Sequence, residues 1–335
     1  MIGITASAVW LPHGREDAAF VARQTGIPQS VVAEKMGLVE KCRAHPDVHP
    51  SMMAIEAARA VLKDTDPESV DLLIWTGSEY KDFPVWSAGI FVQHQLGLTK
   101  AWAFDLAARC SSNVVGLRVA KDLMLARPEI RRTLLCGGHR TGDLVNYQDP
   151  DARFLFNLSD GGSALLLERD AGNPLLESSV ITDGAFSLDV IIPAGGTRNP
   201  NRNPLDTNDT YLRVPDVVGM RGRLADRSIE NFLRVIRQSS AGKAIDFLAL
   251  VHLKRSAHDA ILEALGLGAQ QSIYLDHYGH FGAPDQVLSM GLAETGQLTA
   301  GDHVVLASAG IGYTWSAISL EWRQPTFTLI QEATP

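Results

Sequence analysis

Short apolar runs bounded by glycine or aspartate recur along the chain and predict buried β-strands that are covered on both faces. The predicted strands are residues 70–75, 101–106, 133–136, 163–167, 245–251, 272–275, 303–308 and 313–320. Between these runs, apolar residues recur at helical spacing. The predicted helices are residues 51–63, with Ser51 as the N-cap, 84–96, 111–126, 224–238, 256–265 and 284–295. Alternating helices and strands predict an α/β layered fold with largely parallel sheets.

The order of these elements repeats. Each half of the chain begins with a helix, then alternates strands and helices, and ends with two consecutive strands. We interpret this as an internal duplication with a pseudo-two-fold axis, dividing the chain into halves 1–170 and 171–335. The polar stretch 194–223 is rich in Asn, Pro and Gly, which predicts an inserted loop or linker.

Four residues that could act as a nucleophile or as a base follow matching predicted strands of the two halves. Glu79 and Cys110 follow strands of the first half, and His252 and His280 follow strands of the second. In open α/β sheets ligands bind beyond the carboxyl ends of the strands, so a pseudo-two-fold axis would bring these four residues together. A thiol, two imidazoles and a carboxylate around one cavity form a nucleophile and its bases.

Cys110 directly precedes the predicted helix 111–126, and a helix N-terminus stabilises a thiolate. The alternative is a small buried core residue, which is the interpretation we give to Cys42 and Cys136. No CxxC pair or close cysteine spacing occurs, so the sequence predicts no disulfide framework and no metal site. Reduced thiols favour a cytoplasmic location.

Composition and charge narrow the class of protein. The chain has 335 residues, of which 45% are hydrophobic and 20% are charged, as in globular proteins. Its formal net charge of -8 argues against binding to nucleic acid or to an anionic membrane. We expect no signal peptide at residues 1–5, and no apolar run reaches the roughly 20 residues that a membrane span needs.

Several segments carry a family resemblance over nearly the whole length of the chain. The chain resembles ketoacyl-ACP synthase III enzymes of the thiolase superfamily. The matching segments are AFDLAARCSSNVVG at 103–116, DHYGHFGA at 276–283, ASAGIGYTWSA at 307–317, Leu11-Pro12, 82–84 (DFP) and 160–162 (DGG). The resemblance implies a thiolase-like fold of duplicated α/β layers with two mixed sheets, ordered α-β-α-β-α. It also implies a cytoplasmic homodimer in fatty acid or polyketide biosynthesis.

The same resemblance implies residue roles. Cys110 would accept an acyl group from acyl-CoA or from an acyl carrier protein, without a further cofactor. His252 would bind the thioester carbonyl of the second substrate, and His280 would stand where the family usually has Asn. The backbone amides of Cys110 and of Ile311, in the turn Gly310-Ile311-Gly312, would form an oxyanion hole. Phe83 would cross a dimer interface and wall the partner's acyl pocket.

The sequence departs from the family pattern at several positions. A Cys-His-His set resembles the elongating condensing enzymes, and His280 can titrate near neutral pH where Asn cannot. Val31 and Lys35 replace the Trp and Arg that hold the CoA adenine, so an acyl carrier protein is the natural substitute as donor. Lys254 and Arg255 would attract such an acidic carrier, or are simply solvated.

Thr76-Gly77-Ser78-Glu79 is similar to the segment of hydroxymethylglutaryl-CoA synthases that carries their general-base glutamate. Two enzyme hypotheses follow. The first is a decarboxylative Claisen condensation of acyl-Cys110 with a malonyl thioester. The second is non-decarboxylative: Glu79 would serve as base, either in a hydroxymethylglutaryl-CoA-synthase-type addition or in acyl transfer to an alcohol or amine of a natural product.

Two further classes stay open. A non-catalytic partner subunit would normally lack the cysteine, and a cysteine hydrolase on an unrelated α/β fold would not predict the repeated element order. We assign no catalytic role to four other histidines. These are expected to be surface or structural: His139, His258, His277 and His303.

Overall fold

The computed structural model describes residues 1–200 and 208–333. The described residues form twelve strands, which are numbered in chain order. They are β1 Ile2–Leu11, β2 Gly14–Asp17, β3 Glu40–Arg43, β4 Leu72–Trp75, β5 Trp102–Asp105, β6 Arg132–Arg140, β7 Asp160–Arg169, β8 Asn173–Thr182, β9 Phe247–Leu250, β10 His303–Gly310, β11 Thr314–Glu321 and β12 Phe327–Gln331. The α-helices are α1 Ala18–Thr25, α2 Pro50–Val61, α3 Ala88–Gln95, α4 Ser112–Ala126, α5 Val217–Ser240, α6 Arg255–Leu265 and α7 Asp285–Ala293.

The two halves of the chain order their strands in the same way. The first half runs β5-β4-β6-β7-β1 and the second runs β9-β10-β11-β8, and the halves meet through two residue pairs between β1 and β8. Along the chain, β5 is the third of the five strands that the first half contributes to this order. When β5 is left out, the spatial order of the first half matches that of the second half. This correspondence supports the proposed duplication, and the division at residue 170 stays a prediction.

Strand pairing is mixed within each half, as the family resemblance implies, and the expectation of largely parallel sheets is wrong. β4 pairs in parallel with β5 and β6, whereas β6–β7 and β7–β1 are antiparallel. In the second half, β9–β10 is parallel and β10–β11 is antiparallel. The last two strands of each half follow each other without an intervening α-helix, and only a helical crossover readily returns the chain for parallel pairing.

Three hydrophobic clusters show the layer order. One cluster joins α2 and α3 to the first half-sheet, and another joins α5 and α6 to the second. The cluster between them holds α4 and α7 together with strands of both halves. The layers therefore run α-β-α-β-α, and the two central helices lie between the sheets.

Several local predictions fail. Residues 272–275 form no strand, and strands β1, β8 and β12 were not predicted, because their polar and small residues weaken the apolar signal. Ser51 is not an N-cap: α2 begins at Pro50, and Ser51 Oγ instead donates to Asp82 Oδ2 at 2.5 Å. The predicted loop 194–223 includes the start of α5, and its residues 201–207 lie outside the described part of the chain.

Candidate active site

Cys110 lies in a short 3₁₀ turn, Arg109–Ser111, between β5 and the N-terminus of α4. Ser308 Oγ on β10 donates to the Cys110 carbonyl oxygen at 2.7 Å, which ties the turn to the second half of the chain. Cys110 is partly exposed, whereas Cys42 and Cys136 are buried. Burial raises the pKa of both buried thiols to about 12, so they have no thiolate character at neutral pH. Only Cys110 has the position of a nucleophile.

His280 lies directly against this thiol. Its Nε2 is 3.1 Å from Cys110 Sγ, so the two residues lie together as predicted, although the segment 272–275 before His280 is not a strand. Its backbone is fixed by two hydrogen bonds to a neighbouring segment: His280 N donates to the Asn157 carbonyl, and Ser159 N donates to the His280 carbonyl. The nucleophile and the imidazole are thus in hydrogen-bonding contact before any substrate binds.

Asp285 completes a chain of three residues, and sequence reasoning missed it. The Asp285 Oδ2 atom is 2.6 Å from His280 Nδ1, and the carboxylate is fully buried. Burial opposes protonation of His280, but the charges of Asp285 and of the Cys110 thiolate raise its pKa well above the ordinary value. The available signal was an acidic residue five positions after His280, in the first turn of a predicted helix.

Asp285 also reaches the second predicted histidine. Its Oδ2 accepts a hydrogen bond from His252 N at 2.9 Å, and its Oδ1 accepts one from Phe281 N at 3.1 Å. The His252 ring is buried, and neither ring nitrogen has a partner of standard hydrogen-bond geometry among the described residues, although a backbone hydrogen bond with Gly37 raises its pKa against the larger effect of burial. A buried imidazole with so little hydrogen bonding to the protein can bind a ligand atom.

Three histidines of this region carry no charge at neutral pH, and we call them the neutral histidines. Burial is the largest cause of the lowered pKa in each of them, and the positive charge of His280 lowers it further in His139 and His252. The pKa is lowered to about 3 in His139, to about 3 in His252 and to about 4 in His258. His139 and His258 are buried, as is His303, and His277 is exposed.

Glu79 reaches the site through an ion pair and not as an isolated carboxylate. Its Oε2 pairs with Nη1 of Arg109, the residue before Cys110. Arg109 has a left-handed backbone conformation with φ of 55°, which is uncommon for a residue with a side chain. Burial lowers the Arg109 pKa, and the nearby Cys110 thiolate opposes that shift. The pair places a guanidinium, rather than a lone base, beside the nucleophile.

The turn predicted to form the oxyanion hole lies next to Cys110. A Cβ atom on Gly310 would lie 2.5 Å from the Ala108 carbonyl oxygen and 3.1 Å from Cys110 N. Only glycine allows β10 to approach the nucleophile turn so closely. Gly312 has φ of 135° and is followed by a cis peptide bond to Tyr313. Burial and, next, the Cys110 charge raise the pKa of Tyr313, the residue that follows this turn.

Asn113 links the nucleophile helix to the His280 turn. It is buried on α4, three residues after Cys110. Its Oδ1 accepts from Thr76 Oγ1 at 2.5 Å, and its Nδ2 donates to Ser163 Oγ at 3.0 Å and to the Ala283 carbonyl oxygen at 2.9 Å. Ala283 lies between His280 and Asp285, so Asn113 couples the two central helices at the reaction centre.

Phe83 lies away from this cluster, in the loop before α3. It is 63% exposed and contacts Trp86 edge-on, with ring centroids 5.7 Å apart. Its predicted role in a partner's acyl pocket stays a prediction. Within the described residues, no helix is long and apolar enough to cross a membrane.

Comparison with known proteins agrees with the geometry. Models of the 3-oxoacyl-[acyl-carrier-protein] synthase III family match residues 104–184, and models of its C-terminal region match residues 237–322. The beta-ketoacyl-[acyl-carrier-protein] synthase III of Symbiobacterium thermophilum is 27% identical over 96% of this chain and 98% of its own. That of Synechocystis is 30% identical over 76% of this chain and 78% of its own.

A solved structure shows the same fold. The 3-oxoacyl-(acyl carrier protein) synthase III of Pseudomonas aeruginosa superimposes with a TM-score of 0.81 at 21% identity, over 97% of this chain and 99% of that one. Sequence, family models and fold thus agree over both halves. The chain belongs to the 3-oxoacyl-[acyl-carrier-protein] synthase III family.

Proposed function

We propose that the protein is an acyltransferase that forms an acyl thioester on Cys110 and then condenses it with a malonyl thioester. The observation that carries the first step is the 3.1 Å contact between Cys110 Sγ and His280 Nε2. His280 takes the thiol proton, and the thiolate attacks the thioester carbonyl of the donor. The amides of Cys110 and Ile311 stabilise the oxyanion, and the donor thiolate leaves with the proton from His280.

The second step follows from the family membership. A malonyl thioester would bind with its carbonyl oxygen near His252, whose ring nitrogens have no partner of standard hydrogen-bond geometry among the described residues. Carbon dioxide leaves, and the resulting enolate attacks the acyl carbonyl. The new carbon–carbon bond forms as the bond to Cys110 Sγ breaks, which restores the thiolate. No cofactor is consumed in either step.

The donor we favour is an acyl carrier protein. Lys35 is exposed where a CoA-binding arginine would stand, and Lys254 is exposed beside the site. Arg255 is less available, since its guanidinium lies 3.6 Å over the Tyr274 ring and pairs with Asp276 at 3.3 Å. We therefore assign the electrostatic attraction of an acidic carrier to Lys254 rather than to Arg255.

A homodimer is supported by the edge of the sheet. Strand β5 is the outer strand of the first half, and Trp102 on it is 55% exposed. Phe83, Val85 and Ile90 are exposed in the adjoining loop and helix. An unpaired strand edge beside exposed large apolar side chains is typical of a subunit interface.

The hydroxymethylglutaryl-CoA-synthase-type alternative needs Glu79 as a free base. Its ion pair with Arg109 weakens that role, because the guanidinium occupies a carboxylate oxygen that would have to accept the substrate proton. A Glu79→Gln variant is expected to retain turnover.

Intact-mass analysis after incubation with acyl-CoAs and acyl carrier proteins tests the proposal. We expect one acyl adduct on the wild-type chain, none on Cys110→Ala, and an unchanged adduct on Cys136→Ala, where the buried thiol serves as the matched control. Addition of malonyl thioester to the adduct should release carbon dioxide. Absence of an adduct with every donor, or an equal adduct on Cys110→Ala, would overturn it.

A further inference from the structure

Asp285 takes no direct part in the carbon–carbon bond formation just described, although it holds His280. Its carboxylate is fully buried, accepts two backbone hydrogen bonds, and holds His280 Nδ1 at 2.6 Å. Burying a carboxylate is costly unless its partners are in place. A carboxylate, an imidazole and a thiol aligned in this order form the arrangement that drives acyl transfer to protic nucleophiles in hydrolytic triads. The placement of Asp285 therefore calls for a chemical reason.

The carboxylate fixes the tautomer of His280. A carboxylate can only accept, so Nδ1 must carry a hydrogen that it donates to Asp285. Whenever His280 is neutral, its other nitrogen, Nε2, presents a lone pair toward Cys110. Neutral His280 can then accept a proton at the reaction centre but cannot donate one. An asparagine amide at this position would always offer an N–H donor.

The proton balance of the first step decides which form is present. In the resting site the charge of the thiolate and that of Asp285 favour protonated His280. The departing donor thiolate takes that proton, and acylation removes the charge on Cys110. The acyl enzyme is left with neutral His280, whose Nε2 lone pair faces the acyl group.

We propose that this acyl enzyme also transfers its acyl group to a hydroxyl or amine of a small molecule, with His280 as general base and Asp285 as its positioning residue. His280 Nε2 removes the proton of the O–H or N–H group as the oxygen or nitrogen bonds to the acyl carbon. The tetrahedral intermediate collapses, the C–S bond breaks, and Cys110 leaves as a thiolate beside protonated His280. The products are an ester or an amide and the resting enzyme, with no co-reactant.

Condensation places the opposite demand on His280. An enolate is stabilised by hydrogen-bond donors, and neutral His280 with Nδ1 bound to Asp285 has none to offer at Nε2. His252 is the remaining imidazole. The acyl enzyme is thus better prepared for a protic nucleophile than for a malonyl thioester. This inference rests on the first half of the proposed function, the formation of acyl-Cys110.

The experiment uses the isolated acyl enzyme. The full chain is loaded with a radiolabelled acyl group, freed of donor, and challenged with malonyl thioester or with a panel of primary alcohols and primary amines, such as benzyl alcohol and benzylamine. Denatured acyl enzyme gives the uncatalysed rate. We expect ester and amide formation at least 100-fold above that rate with some panel members, and slower release of carbon dioxide from malonyl thioester.

Variants separate base catalysis from a structural role. Asp285→Asn should lower transfer from the acyl enzyme by at least about 100-fold, as expected when the orienting carboxylate of a triad is lost. It should also move the acidic limb of the pH profile to lower pH, because the charge of Asp285 raises the pKa of His280 and the groups left facing His280 would be Cys110 and the neutral His252 and His139. His280→Asn should reduce transfer and increase carbon dioxide release. Asp216→Asn, at the N-cap of α5, is the control and should change neither.

Each outcome has a distinct meaning. Failure to load Cys110 overturns the proposed function itself. A loaded enzyme that transfers to no panel member above the denatured rate overturns the inference while leaving the proposed function intact. So does an Asp285→Asn variant with an unchanged transfer rate and pH profile.

Discussion

The side chain of Asn113 is the direct link between the nucleophile helix and the turn that carries His280. Replacing it with alanine removes three hydrogen bonds from a side chain that is 2% exposed. It also leaves the Thr76 hydroxyl and the Ala283 carbonyl buried without this partner. The perturbation therefore tests whether tertiary contacts, rather than local helix structure, hold the reaction centre together.

The expected magnitude follows from these contacts. A buried hydrogen bond contributes about 1 kcal/mol net, and leaving a buried partner unsatisfied costs about 1–3 kcal/mol. Because the freed hydroxyls can rotate toward other acceptors, we expect Asn113→Ala to lower the free energy of unfolding by about 3–4 kcal/mol. Loosening of the turn at Ala283 should also slow acylation of Cys110 by at least about tenfold, since catalytic groups must be held to within about 1 Å.

Urea unfolding followed by tryptophan fluorescence measures the stability, and an intact-mass time course measures acylation. Ser319→Ala is the matched control, since its buried hydroxyl contacts the carbonyl oxygens of Glu177 and Ser239, far from Cys110. The control should lose stability but keep its acylation rate. The reasoning is refuted if Asn113→Ala loses less than about 1 kcal/mol, or if it acylates as fast as the control.

Three further predictions concern the turn, the pH dependence and the interface. Gly310→Ala would bring a Cβ to 2.5 Å from the Ala108 carbonyl oxygen, so acylation should fall at least about tenfold; an unchanged acylation time course would contradict the close approach. Between pH 6.5 and about 4, the neutral histidines bind fewer protons in the folded chain than in the unfolded chain. Each of them should therefore lower the free energy of unfolding by about 2 kcal/mol when the pH falls from 7.5 to 5. His280 has the opposite sign, since its contribution is complete below pH 6.5 and is lost as the pH rises through its folded pKa; a urea series that shows higher stability at pH 5 than at pH 7.5 would refute this account. Phe83→Asp should dissociate the proposed homodimer in size-exclusion chromatography with light scattering, and a wild-type chain that is already monomeric would contradict that interface.

Sequence pattern was sufficient for the main elements and for part of the site. Buried strands and amphipathic helices can be predicted from local periodicity, and most of the predicted ranges overlap the observed ones. The repeated element order predicted that Cys110 and His280 lie together, and Cys110 Sγ and His280 Nε2 are 3.1 Å apart although no strand directly precedes His280. Strands such as β8 and β12 lack that periodicity, so only their pairing partners define them.

The chemistry around Cys110 was decided by tertiary contacts that no local pattern records. Glu79 was predicted as a base, but the left-handed turn at Arg109 directs a guanidinium onto it. Ser51 was predicted as a cap, but Asp82 takes its hydroxyl.

The sequence by itself determined that Cys110 opens a helix and that His280 follows a matching segment in the other half, because both are local facts about element boundaries. Only the tertiary structure decided what His280 can do, because its protonation depends on the distance and burial of Asp285 and Cys110 in space. Electrostatic energies vary with separation and solvent exposure, and neither quantity is written in the order of residues.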